Sequence, residues 1–190
     1  MLPTDVCERC SPLPKKLVKS GALPDCPRPV RRNFALPFGM KKVAAMVVLR
    51  AADRYLLLRR SREPNRDKYV PVGGKLEPHE PPRAAARREC FEETGIDLPE
   101  TALQFCGILT ETSPVDYNWI SYIYLAEIAP LPAPACDEGT LEWIAHADLP
   151  TVPTPPTDAA IYACLQRGER FVFDATYDDQ LRMIRLDREI

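Results

Sequence analysis

Three glutamates within five residues, Glu89, Glu92 and Glu93, stand at i, i+3 and i+4, the spacing that puts side chains on one broad face if the segment is helical. Carboxylates held that close repel one another. Hard divalent cations such as Mg2+ or Mn2+ relieve the repulsion, prefer oxygen ligands and leave coordination positions for water and phosphate oxygens. Upstream, Gly73-Gly74 lets the backbone approach the same ions, which makes the Gly73 carbonyl a candidate ligand. Arg88 can pair with Glu80 and fix the angle at which the helix presents its acids. Similar acidic runs also stabilise ordinary solvated helices through neighbouring charge pairs. The fixed distance from the glycine turn sets this one apart.

Such a cluster needs a helix on a rigid support. The segment from about Pro82 to Thr94 is expected to be that helix, stopped by Gly95. Ahead of it, VAAMVVLR and RYLLLRR read as a hairpin turning at Ala51 to Asp53. Ser61 to Lys68 reads as a polar loop and Tyr69 to Val72 as a short strand. Behind it, Leu103 to Thr110, Trp119 to Ile128 and Thr140 to Ile144 read as strands, with a Pro-rich loop from Ala129 to Cys136. Thr157 to Gln166 is expected to be a second helix with Thr157 or Asp158 near its cap, followed by closing strands at Phe171 to Phe173 and Leu181 to Leu186. The total is a mixed α/β fold.

Glu80 follows Gly74 by six residues, Arg88 and Glu89 follow Glu80 by eight and nine, and the run ends Glu92-Glu93-Thr94-Gly95-Ile96. This pattern, G-x5-E-x7-R-E-U-x-E-E-x-G-U with U apolar, resembles the Nudix hydrolase box at every fixed position. Cys90 stands where a larger aliphatic residue is more usual, a mild departure because thiols pack well in cores. The resemblance spans Met40 to about Leu149. It implies an α/β/α sandwich around a mixed sheet, with the box as loop-helix-loop. It also implies Mg2+ held by Glu89, Glu92, Glu93 and the Gly73 carbonyl, support from Glu80, Gly74 and Arg88, and attack of an activated water on a pyrophosphate linkage. For the general base it offers two places. One is the loop before the late tryptophan-containing strand, where Glu138 is the candidate and Asp137 and Glu142 compete; the other is a box acid, Glu92 or Glu93.

Substrate choice lies outside the box. Arg59 and Arg60 alternate along a strand, so at most one points into a cleft, and Arg60 and Lys75 are the candidates for phosphate contact. The run KYVPVGGKLEP resembles triphosphate-hydrolysing members, including those that remove oxidised purine nucleotides. By that likeness Tyr69 takes a position often held by Trp. Tyr117, Trp119, Tyr122 and Phe173 could provide a stacking wall, although aromatics of this kind also pack in cores. The expected substrate is a nucleoside triphosphate, oxidised or not, cut to monophosphate and pyrophosphate. ADP-ribose or another nucleotide sugar, a dinucleoside polyphosphate or RNA 5'-end, and a non-catalytic nucleotide-binding module are the alternatives. All four box glutamates are present, which weighs against the last.

The 190 residues suit one domain, residues 40–190, preceded by a Pro-rich extension, residues 1–39. A formal charge of −2 disfavours broad attraction to nucleic acid or anionic membrane. There is no apolar run of signal-peptide or membrane-spanning length, and the seven cysteines suit reduced thiols, so a cytoplasmic monomer or homodimer is expected. Cys7 and Cys10 form a C-x2-C half-site that Cys26 could extend towards Zn2+, with no fourth ligand nearby.

Overall fold

The computed structural model describes residues 37–190. Cys7, Cys10 and Cys26, and with them the zinc expectation, lie outside the described residues. The strands are β1 (Lys42–Ala51), β2 (Arg54–Arg60), β3 (Tyr69–Val70), β4 (Val72–Lys75), β5 (Gln104–Thr112), β6 (Trp119–Glu127), β7 (Ala135–Cys136), β8 (Gly139–Ala145), β9 (Phe171–Tyr177) and β10 (Met183–Arg188). The helices are α1 (Pro82–Thr94) and α2 (Pro156–Gln166), with a 3-10 turn at Glu100–Ala102.

The strands form one mixed sheet in the order β10-β9-β5-β6-β1-β2-β8-β7, with β4 on β1 and β3 on β2. β1 runs parallel to β6 and β5 parallel to β9; the other pairs are antiparallel. Alternation along each strand supplies two cores. Ala45, Val47, Leu49, Leu56 and Leu58 pack with Ala85, Ala86 and Cys90 of α1. Val48, Tyr55, Leu57, Ile123 and Phe171 pack with Ile161, Tyr162 and Leu165 of α2. The helices therefore cover opposite faces, which gives an α/β/α sandwich. Small side chains at Ala85, Ala86 and Cys90, all fully buried, let α1 lie close to the sheet.

Helix α1 stops as its sequence dictates. Gly95 takes φ 70° and its N–H donates to the Phe91 carbonyl, a left-handed cap that costs a glycine nothing. Three elements depart from the sequence expectation. The single strand Tyr69 to Val72 is two, because Pro71 has no N–H to donate; β3 joins β2, while β4 joins β1 and carries Gly73 and Gly74 as ladder residues rather than a free turn. The Pro-rich loop ends in the short strand β7, paired to β8. Neither Thr157 nor Asp158 caps α2: Pro155 is the cap residue, Pro156 opens the helix, and both polar residues are buried in the first turn. Among the described residues no helix is long and apolar enough to cross a membrane.

Candidate active site

A cleft of about 920 Å³ crosses the sheet from β4 through β1, β6 and β5 to the end of β9. At the β4 end two glycines open the way for α1. An added Cβ at Gly74 would come within 2.7 Å of the Glu89 carboxyl, so the missing side chain is the space that carboxyl fills. Gly73, at φ 146°, lies so close to the Ala45 carbonyl that a Cβ there would sit 2.3 Å from it. Its N–H donates to Glu93 Oε2 at 3.2 Å.

Glu93 is the most perturbed acid at this end. Burial, then the neighbouring Glu138 carboxylate and then Glu89 push its pKa up to about 8, against the opposing Gly73 hydrogen bond and Arg60. Burial also raises Glu89, partly offset by Arg88. Glu138 comes from the β7–β8 turn, where Ser61 N–H and Oγ donate to its carbonyl at 3.0 and 2.8 Å. Arg60 Nη1 stands 3.8 Å from its carboxylate. Acids on α1 and on a turn more than forty residues later thus converge beside Gly73.

Arg88 is held between these acids and the loop before the helix. Its Nε and Nη2 donate to the two oxygens of Glu80 at 2.9 and 2.8 Å, and Nη2 also donates to the Lys75 carbonyl at 3.0 Å. Nη1 reaches Glu89 at 2.7 Å and Glu92 at 3.2 Å. The fork with Arg88 draws the Glu80 pKa down. Lysine offers a single point of contact and cannot reproduce that fork. Arg88→Lys is expected to lower stability by about 1–3 kcal/mol and kcat/KM about 10- to 100-fold. Urea denaturation and steady-state kinetics measure the two effects separately.

The candidates from the sequence divide by position. Glu89, Glu93, Gly73, Gly74, Glu138, Arg60, Lys75 and Trp119 line the cleft. Lys75 Nζ lies 5.7 Å from the Trp119 ring centroid, with Lys42 Nζ at 5.4 Å. Arg59 points elsewhere, its guanidinium 3.6 Å from Asp67. The Glu92 side chain, 57% exposed, pairs with Arg88 outside the cleft lining. Tyr69 is buried in the α2-side core, where burial raises its pKa, and it does not line the cleft. Of the aromatic wall, Tyr117 and Trp119 reach the cleft, whereas Tyr122 and Phe173 pack into opposite cores.

Beyond Tyr117, sequence reading missed the far end. Glu111 on β5 is only 6% exposed, and its Oε1 accepts the hydroxyls of Tyr177 at 2.8 Å and Tyr117 at 3.3 Å. Burial raises its pKa and the two hydroxyls oppose the rise. Asp158, on the first turn of α2, is equally buried, and its pKa is pushed up to about 8 by burial and then by Glu111, with Lys68 opposing. From β4 to β5 is three strand steps, about 14 Å at the usual spacing. The cleft thus presents different chemistry at its two ends.

The NUDIX domain family model matches residues 40–165. The chain belongs to the Nudix hydrolase superfamily. The uncharacterized Nudix hydrolase YvcI of Bacillus subtilis (strain 168) is 30% identical over 146 residues, 74% of this chain and 90% of its own length. Diphosphoinositol polyphosphate phosphohydrolase 3-beta of Bos taurus is 45% identical over 62 residues, 32% of this chain and 37% of that protein. Among solved structures, the mutator MutT protein of Bacillus halodurans superposes with a TM-score of 0.67 at 21% identity, covering 78% of this chain and 97% of its own. A MutT Nudix hydrolase from Burkholderia pseudomallei gives 0.57 at 26%, covering 65% and 97%.

Nudix catalysis uses a divalent cation, often Mg2+. The site fits such an ion by donor chemistry: Glu89 and Glu93 of the box offer partly desolvated hard oxygen atoms, and Glu138 on the later turn adds a carboxylate that repels Glu93. It is not drawn in to coordination geometry, since among the described residues no three acidic, His or Cys side chains are grouped closely enough to hold an ion. Glu89 instead faces the Arg88 guanidinium.

Proposed function

We propose that this Nudix protein hydrolyses a nucleoside triphosphate to the monophosphate and pyrophosphate in the presence of Mg2+. The supporting observation is the two-ended cleft. Its β4 end gathers Glu89, Glu93, Glu138, Arg60 and Lys75, groups suited to a cation–phosphate assembly, while its far end offers Tyr117, Tyr177, Glu111 and Asp158 to an uncharged ring. The bound divalent ion would supply Lewis acidity at the phosphoryl oxygens and lower the pKa of an attacking water. Glu89, Glu93 and the Gly73 carbonyl would hold it, with Glu92 joining only if it leaves Arg88. Glu138, on the turn opposite α1, is placed to take a proton from the water. Arg60 and Lys75 orient the phosphates from the cleft walls, and Arg88 keeps the helix at the angle that aims Glu89 and Glu93 across the glycines.

The local likeness to a diphosphoinositol polyphosphate phosphohydrolase suggests a second reading, a densely phosphorylated ring. Glu111 and Asp158 oppose it, because such a ring would bring phosphates against buried carboxyl groups. The deciding assay incubates the protein and Mg2+ with canonical and 8-oxo nucleoside triphosphates, ADP-ribose, dinucleoside polyphosphates, capped RNA and a diphosphoinositol polyphosphate, with products identified by mass. Pyrophosphate release from triphosphates supports the proposal. Exclusive turnover of ADP-ribose or of the inositol compound defeats it.

A further inference from the structure

We infer that the outer edge of β10 is a self-pairing surface, on which a second copy of this chain docks strand to strand, antiparallel about a two-fold axis at Leu186. The inference is independent of which nucleotide the cleft accepts.

The sheet ends differently on its two sides. At one end β7 is two residues long, too short to template another strand. At the other, β10 has six residues, and among the described residues no strand pairs with its outer side. This segment is also apolar where it meets water. Ile184 is 67% exposed and Ile190 64%, and Leu181, in the turn before β10, is exposed as well. Three of the six exposed large hydrophobic side chains among the described residues thus fall in the last ten of the chain, where scattered single residues would need no explanation.

The ladder fixes which backbone groups are free. Glu189 N–H donates to the Val172 carbonyl at 2.9 Å, so the alternate residues Glu189, Asp187 and Arg185 turn their backbone groups towards β9. Leu186 and Arg188 turn theirs outward. In an antiparallel pair outward residues face outward residues, so a symmetric pair is centred on a residue and never between two. Centred on Leu186, it lets Leu186 exchange both backbone hydrogen bonds with the partner's Leu186. Ile184 then lies opposite the partner's Arg188, whose aliphatic stem can cover it.

Charge selects this register. Arg185 falls opposite the partner's Asp187, twice by symmetry. In the single chain Arg185 Nε and Asp187 Oδ2 are 2.7 Å apart, with both side chains largely exposed, so the four charges of the pair alternate in sign. Moving the axis one residue either way sets Arg185 against the partner's Arg185 or Asp187 against the partner's Asp187, like charges directly opposite. The same face carries surplus acid: Asp174 beside it, and then Asp187, raise the Glu189 pKa. The partner's Arg185 would bring a cation there. The bulge between Met183 and Arg185 bends the start of β10, so pairing rests on Ile184 to Arg188. So short a ladder falls below the roughly 1,200 Å² of a standard interface, and the dimer should come apart on dilution.

Sedimentation velocity of the full chain from about 1 to 200 µM should show the mass rising from one chain towards two, with dissociation in the micromolar range. Arg185→Asp and Asp187→Arg each turn both charge pairs into repulsions and should weaken the dimer about tenfold or more. Their melting temperatures should stay close to wild type, since both side chains are exposed. Mixed in equal amounts, the two variants again set acid against arginine at both positions and should dimerise with each other as tightly as the wild type does with itself. Amide hydrogen exchange gives a second measurement on the unaltered chain. Leu186 and Arg188 should slow as concentration rises, while Arg185 and Asp187, already bonded to β9, should not. A chain that stays monomeric throughout, a dimer indifferent to both single variants, or no recovery on mixing overturns the inference. So does an edge whose amides are protected at every concentration, because another segment of the chain would then cover β10.

Discussion

Glu93→Gln is expected to lower kcat by about 10³-fold or more, a loss on the order of 4 kcal/mol in transition-state stabilisation, without weakening the fold. The two halves of the expectation have one cause. Glu93 sits where burial and two neighbouring carboxylates disfavour its charge, so the protein bears a cost for keeping it there. A glutamine of the same shape keeps an oxygen that can accept the Gly73 N–H and removes the repulsion with Glu138 and Glu89. Melting temperature without divalent ions should be unchanged or higher in the variant. Added MgCl2 should raise the melting temperature of the wild type, by mass action on the folded state, and raise that of the variant less. Glu92→Gln is the comparison. Its carboxylate is exposed and held by Arg88 outside the cleft lining, so its loss of kcat should be at least about tenfold smaller. Equal losses in the two variants, or a large drop in the stability of Glu93→Gln without Mg2+, would overturn this account.

The box was legible because several of its residues answer fixed contacts. Gly73 and Gly74 are required by contacts with Ala45 and Glu89, Gly95 by a left-handed cap, and Arg88 by a partner eight residues before it. The sheet order was less legible, since β1 makes only its last three pairs with β2 and spends most of its length against β6 and β4, strands that follow it by many residues. The acids at the far end of the cleft were invisible for the same reason. Glu111 lies in the run Thr110-Glu111-Thr112, which by itself reads as a solvated strand end. It becomes a buried acceptor only because β9 pairs alongside and brings Tyr177, 66 residues later, to its carboxyl. Asp158 carried a misleading signal. A polar residue just after two prolines suggests a helix cap, yet Pro155 and Pro156 had already set the entry to α2 and left the carboxyl to face the cleft.

That placement makes Asp158 a group whose titration should mark the folded state. Its pKa rises from the ordinary 3.8 to about 8 on folding, because burial, with Glu111 beside it, penalises the charged form more than Lys68 relieves it. Between those values the native protein keeps a proton that the unfolded chain has released. Stability therefore falls as pH rises through this window, at up to about 1.4 kcal/mol per pH unit. The contribution is fully present below the unfolded pKa and lost by the time pH passes the folded one. Glu111, also raised by burial, adds slope of the same sign. Asp158→Asn removes the ionisation and keeps the shape. Its advantage over wild type should grow by about 3–4 kcal/mol between pH 5 and pH 8, read as the difference in urea midpoints at pH 5, 6, 7 and 8. Parallel pH profiles for the two proteins would show that Asp158 ionises freely in the native state. A cleft that holds an acid neutral at pH 7 is less stable than an apolar one would be at that pH, and what it gains is a hydrogen-bond donor on its wall.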